Sequence, residues 1–263
     1  MTKKILKVLV IGDTHDSPDI PDKSRFGWFA KHIRKSKPDI VVQIGDFVTL
    51  DSCTHYIRDD SYTAKIEKPI FMKDMESMDS AMEEFNYHLK DFKIKKYLTL
   101  GNHEKRMFRK EDSNPTFYGM CQKEFFGNCK KYDWQVIPYG KYLMLGGVGF
   151  IHAPINPMGK EYGGEASERQ VANKSKIDIV FGHSHRAQDN RVAKISPIPN
   201  DFTRIINVGC AMPHNHIESY AKHSLTGWTY QVCELKIWDN HIQEVNNISM
   251  ETLEREYGGK KSK

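Results

Sequence analysis

Short apolar runs alternate along the chain with segments of helical spacing. Residues 5–11, 40–44, 97–100, 142–145, 148–151, 177–181, 191–195 and 204–208 read as strands. Over 24–35, Phe26, Phe29, Ala30 and Ile33 fall on one helical face, and Pro38 stops that helix before the strand at 40–44. The final apolar stretch reads as a hairpin, with strands over 227–238 and 241–248 joined at Asp239-Asn240. Residues 71–92 place Phe71, Met75, Met78, Met82, Phe85 and Leu89 at spacings of four and three. That stripe predicts a helix facing the core; it is too short for a coiled-coil seam. Residues 51–70 have no period and predict a long functional or disordered connection. Helices concentrate in the first two thirds and strands in the last third, which predicts an α/β layered sandwich and not a barrel of regular βα repeats.

With 263 residues, 28% of them charged and 39% hydrophobic, the chain has the composition of a globular protein. Its length predicts one domain over 1–250, with an insertion at about 51–70 and a basic C-terminal tail at 251–263. No apolar run approaches the roughly 18 residues of a membrane span. The first residues faintly mimic a leader peptide, but Lys7 breaks the apolar run and the segment continues into Gly12-Asp13-Thr14-His15, so it reads as a buried strand. The formal net charge of +5 suits anionic substrates and is too small to point to nucleic acid on its own. Five cysteines (53, 121, 129, 210 and 233) with no Cys-x-x-Cys pair indicate neither a disulfide framework nor a thiolate zinc site, and fit a reducing, cytoplasmic setting.

The chemistry concentrates in short motifs at or just past the ends of apolar runs. They are Asp13-Thr14-His15, Gly45-Asp46, Gly101-Asn102-His103-Glu104, His152, and Gly182-His183-Ser184-His185. A lone Gly-Asp is a turn signal, and one His at a strand end is usually structural. Taken together they are more specific, because ligands of open α/β sheets collect outside the carboxyl ends of strands. Two Asp, one Asn and four or five His, with no Cys, form a mixed N/O set suited to Mn²⁺, Fe²⁺ or Zn²⁺. There are too many donors for one tetrahedral ion. Two ions about 3.5–4 Å apart sharing a carboxylate would use them all and would activate water against a phosphoryl group.

In this order the motifs resemble the calcineurin-like metallophosphoesterase superfamily, over Asp13 to His185. The resemblance implies an α/β fold, a four-layer α-β-β-α sandwich with a dinuclear metal site at the strand carboxyl ends. It implies Asp13, His15, Asp46 and His185 as ligands of a first metal, and Asn102, His152 and His183 as ligands of a second, with Asp46 bridging. His103 would contact substrate, beside Asn102, and protonate the leaving oxygen; from guanidinium chemistry alone, Arg106, closer to the motif than Arg109, is the first candidate for a phosphate clamp. Glu104 is either an imidazole-orienting carboxylate or a plain helix-start residue. The cofactors implied are two divalent ions, Mn first, with Fe, Zn, Ni or Mg as alternatives.

Phe47-Val48-Thr49-Leu50 replaces the Val-Asp-Arg-Gly continuation of protein Ser/Thr phosphatases, which weakens a phosphoprotein substrate. Lys105-Arg106-Met107-Phe108-Arg109 and Gly163-Gly164 resemble a bacterial and bacteriophage subgroup. The function implied is dimetal-dependent hydrolysis of phosphate esters by a metal-bridging hydroxide, as a phosphomonoesterase on nucleotides or small phosphorylated metabolites. A phosphodiesterase or DNA nuclease of the same superfamily is the alternative, and a non-catalytic binding scaffold is the alternative of another class. Substrate selection would fall to 51–70, 105–125 and 159–165. His214 and His216 read as structural or solvent-facing, His32, His55, His88, His223 and His241 match no motif, and Cys210 and Cys233 read as buried small hydrophobes.

Overall fold

The computed structural model describes residues 4–54, 70–164, 166–198, 201–218, 221 and 227–259. Two sheets stack face to face. The first has the order β11-β10-β1-β2-β3-β4, with β1 (Leu6–Ile11), β2 (Ile40–Gln43), β3 (Lys95–Thr99), β4 (Trp134–Ile137), β10 (Gln231–Trp238) and β11 (His241–Ser249). Here β1 to β4 run parallel, while β10 lies antiparallel to both β1 and β11. The second sheet has the order β5-β6-β7-β9-β8, with β5 (Leu143–Leu145), β6 (Val148–Phe150), β7 (Ile179–Phe181), β8 (Ala187–Ala193) and β9 (Phe202–Val208).

The apolar pattern explains the layers. On β1, Val8 and Val10 point into the core between the sheets, where they meet Phe150, Val180 and Ile206 of the second sheet. Their neighbours Leu9 and Ile11 point the other way, into a core shared with the helices. A strand covered on both faces reads as continuous hydrophobic sequence, as 8–11 does. The helices on that outer face are α1 (Ser24–Ser36), α2 (Phe71–Leu89), α3 (Glu104–Asp112), α4 (Met120–Lys131) and, against α1, α6 (Met250–Tyr257). The opposite face of the second sheet is covered by α5 (Ser167–Lys174), with Val171 and Ala172 against Ile179, Phe181 and Ile205. The result is the four-layer α-β-β-α arrangement.

The methionine stripe of α2 buries Met75, Met78, Met82, Phe85 and Leu89 against the core, as its spacing predicts. Two expectations change. Residues 251–257 are not tail but most of α6: Ser249 caps the helix by accepting from the Thr252 amide, and Met250 and Leu253 are buried on the helical layer. The strand expected at 191–195 is β8, which ends at Ala193 and begins at Ala187; as an edge strand with much of its surface in solvent, it shows little apolar alternation. A fourth parallel strand, β4, and the helix before it, α4, carried no clear apolar period. Most of the connection expected at 51–70, the last four residues of the expected tail, Glu165, His55 and His223 lie outside the described residues. No helix among the described residues is long and apolar enough to cross a membrane.

Candidate metal centre

Each motif follows the carboxyl end of a strand: Asp13 and His15 after β1, Asp46 after β2, Asn102 and His103 after β3, His152 after β6, and His183 and His185 after β7. The first five come from the first sheet's loops and the last three from the second's. Backbone bonds draw the loops together: the Thr14 and His15 amides both donate to the Asp46 carbonyl, and the Gly182 amide donates to that of His152. The loops turn so sharply that His15, Asp46, His183 and His185 all adopt left-handed φ values, 42°, 50°, 71° and 57°. Close approach also requires glycine. A Cβ on Gly101 would lie 2.1 Å from Asp46 Oδ1, and one on Gly182 would lie 2.2 Å from Asp13 Oδ1.

The side chains converge in two groups around Asp46. In one, His185 Nε2 lies 3.1 Å from Asp13 Oδ2 and 3.0 Å from His15 Nε2. In the other, Asn102 Oδ1 lies 2.9 Å from His152 Nε2 and 2.8 Å from His183 Nδ1. Asp46 Oδ2 stands between them, 3.8 Å from His15 Nε2 and 3.3 Å from His152 Nε2. Asp13, His15, Asp46, His103, His152 and His185 are all buried.

This donor set fits divalent cations. Asp13 Oδ1 is buried with no hydrogen-bond partner, which is costly unless a further charge or donor satisfies it. His152 donates from Nδ1 to the Ile44 carbonyl at 3.0 Å, so its Nε2 faces Asp46 Oδ2 and Asn102 Oδ1, as the inner nitrogen of a ligating imidazole does. Burial pulls the His152 imidazole down, but the Asp46 and Asp13 carboxylates overcome it and raise its pKa to about 10. Burial, reinforced by the neighbouring His103 and His185, holds His15 well below the ordinary histidine range. Burial likewise lowers His183.

Three neighbours set the geometry. Glu104 orients no imidazole: its carboxylate accepts from the backbone amides of Gly101 (2.8 Å), Asp46 (3.0 Å) and Val48 (3.2 Å), tying the second loop to the third. The His103 amide donates to Asp46 Oδ1 at 2.8 Å, and its Nδ1 donates to the Thr49 carbonyl at 2.7 Å. That leaves His103 Nε2 to accept from Arg106 Nη2 at 3.0 Å, while Arg106 Nη1 donates to Thr49 O and lies 3.6 Å from Asp51. Burial and the Arg106 charge hold His103 below its usual pKa, against the pull of Asp46.

Two carboxylates were not singled out from the sequence. Asp16, fully buried, pairs with Lys23 and Arg25 at 2.8 Å and accepts from Ser77 at 2.6 Å, fixing the first loop to α1 and α2; its only signal was its place directly after His15. Glu218, in the loop after β9, lies 3.8 Å from His15 Nδ1 and 3.5 Å from His216, and no motif marks it. His214 packs near the Tyr230 ring, 5.7 Å between centroids.

A sequence model of the calcineurin-like phosphoesterase family matches residues 6–187. No curated protein matches the sequence. Among solved structures, the chain is similar to a metallophosphoesterase from Sphaerobacter thermophilus (12% identity, 96% of this chain and 95% of the other, TM-score 0.45). It is also similar to YfcE, a phosphoesterase from E. coli (14%, 93% and 100%, 0.35). A third similarity is to Vps29 from Entamoeba histolytica complexed with zinc (10%, 93% and 99%, 0.37).

Proposed function

Because the chain belongs to the calcineurin-like phosphoesterase family and is a phosphoesterase hydrolase, we propose that it is a dimetal phosphomonoesterase acting on nucleotides or other small phosphorylated metabolites. Asp13, His15, His185 and Asp46 would hold one divalent ion, and Asp46, Asn102, His152 and His183 the other, with manganese the first choice for both. Such a pair supplies charge that polarises phosphoryl oxygens and makes water acidic enough to deliver hydroxide near neutral pH. The side chains do the rest. Asp46, held through its own amide by Glu104 and through Oδ1 by the His103 amide, keeps Oδ2 between the two groups of imidazoles. His103 is the proton donor to the leaving oxygen, from Nε2. In the structure that atom accepts from Arg106; uptake of a proton from solvent at Nε2 displaces the guanidinium, which then pairs with a phosphoryl oxygen, and the imidazolium returns to neutral when it gives that proton to the leaving oxygen.

The preference for a small monoester is supported by the charge around His103. Asp51 lies 3.6 Å from Arg106, and the Glu218 charge acts on both Asp51 and His103. A leaving group protonated by His103 emerges on this side, where the next phosphate of a nucleic-acid backbone would meet the partly exposed Asp51 carboxylate. The test is turnover in Mn²⁺ of p-nitrophenyl phosphate, bis-p-nitrophenyl phosphate, a nucleotide panel and labelled DNA. Monoesters and mononucleotides are expected to dominate. Dominant DNA cleavage would replace this reading with a nuclease, and absence of both bound metal and turnover would replace it with a scaffold.

A further inference from the structure

A ligating imidazole needs an acceptor for the proton on its outer nitrogen, because that bond fixes the tautomer and aims the inner nitrogen at the metal. For His152 the acceptor is the Ile44 carbonyl. For His15 no hydrogen bond fills the role: Nδ1 is buried and without a partner, although Nε2 lies in the cluster with Asp13, Asp46 and His185. The group facing Nδ1 is a carboxylate oxygen, Glu218 Oε1, at 3.8 Å, wider than a hydrogen bond and within ion-pair reach.

Glu218 is itself 7% exposed, and burial of a carboxylate requires a partner. Its loop is fastened to the His15 loop from the other side of the molecule: the Ala211 amide donates to the Asp13 carbonyl at 2.8 Å, and Cys210 bridges Asp13 in parallel register. His216 Nε2 lies 3.5 Å from the same Glu218 oxygen, so the carboxylate stands between two imidazoles, one inside the site and one partly exposed. Residue 218 also lies beyond the span over which the chain matches its family, 6–187.

We propose that Glu218 is a positioning residue for the metal site: it holds His15 in the tautomer with the proton on Nδ1 and the Nε2 lone pair directed at the first ion. It donates nothing to the metal and touches no substrate in this role. The inference rests on the metal-site reading above, and one titration separates the two. Chelated wild-type protein, Glu218→Ala and Glu218→Gln are titrated with Mn²⁺ by calorimetry, and each is melted in chelator to establish that it folds.

Wild-type protein is expected to take two equivalents. Glu218→Ala is expected to lose about 10–100-fold in affinity at one site only, the range for removing such a partner. Glu218→Gln, whose amide keeps an oxygen facing Nδ1, is expected to recover most of that loss. Wild-type affinity at both sites in Glu218→Ala overturns the role of Glu218 alone, whereas wild-type protein that binds no metal overturns the site reading and this inference with it. If Glu218→Ala does not fold, ¹⁵N spectra of histidine-labelled wild-type protein loaded with Mg²⁺ decide the matter: a proton on His15 Nδ1 supports the proposal, and one on Nε2 refutes it.

Discussion

Three histidines and an aspartate at the centre, His15, His183, His185 and Asp46, hold backbone angles that L-residues seldom adopt. Each such conformation costs on the order of 1–3 kcal/mol and persists only where the surroundings over-determine it. Here they do so through amides and carboxylates: Glu104 across three backbone N–H groups, and Asp13 Oδ2 by accepting from the His183 amide at 3.0 Å. The glycines complete the restraint by leaving room for Asp13 and Asp46. Replacing Gly182 with Ala, whose Cβ falls 2.2 Å from Asp13 Oδ1, is therefore expected to cut Mn²⁺ affinity roughly 10–100-fold without removing a donor. Calorimetry beside a melt in chelator checks this; unchanged affinity would mean the loop yields freely. At this scale the motif residues were legible because their types and spacing carry the chemistry. Glu218 was not, since a single glutamate in an irregular segment has no period and no partner until the chain folds. Glu104 was legible as a residue but not in its role, because a contact with backbone amides leaves no mark on sequence.

Among the elements, β1 and α2 could be read because burial imposes a pattern on them: an unbroken apolar run for a strand covered on both faces, a stripe for a helix covered on one. β8 and α6 lack such a pattern, one being an edge strand and the other a helix of two turns with two buried residues. Besides burying Met250 and Leu253, α6 is held by polar contacts. His32 on α1 lies 3.2 Å from the Tyr257 hydroxyl of α6 and 3.0 Å from Glu234 of β10, and Lys31 donates to the Tyr257 carbonyl. The bond to His32, ahead of the opposing effect of burial, lowers the Glu234 pKa to about 2. A folded-state pKa below the unfolded one contributes stability that is present above the unfolded value, about 4.3 for a glutamate, and is lost as pH falls through the folded one. Glu234→Gln is thus expected to melt below wild type at pH 7, with the gap closing between about pH 4 and pH 2. A gap constant across that window, in melts of both proteins, would remove Glu234 from the link.

On the scale of the whole molecule, the centre draws on both sheets: Asp13, His15, Asp46 and Asn102 from one, His152, His183 and His185 from the other. A ligand that binds only the folded state stabilises it by mass action, about 2.7 kcal/mol when its free concentration is one hundred times Kd. Mn²⁺ is accordingly expected to raise the melting temperature of the chelated protein by several degrees, and Asp46→Asn to abolish most of that rise. An equal rise in the variant would place the bound ion elsewhere. The four-layer arrangement and the meeting of seven side chains at one rim followed from the element order, the motifs and the family likeness, whereas the division of those side chains between two sheets had to be seen.

That meeting gives the cations a mechanical office besides their chemical one. They would sit like rivets across the open edge of a laminate whose plies otherwise adhere through greasy filling such as Val8, Val10, Phe150 and Val180 and through scattered polar stitches such as the Ala211 amide on the Asp13 carbonyl. Stripped of them, the leaves are free to peel from that edge first, and deuterium uptake should begin in the rim loops long before it reaches the far ends of the strands.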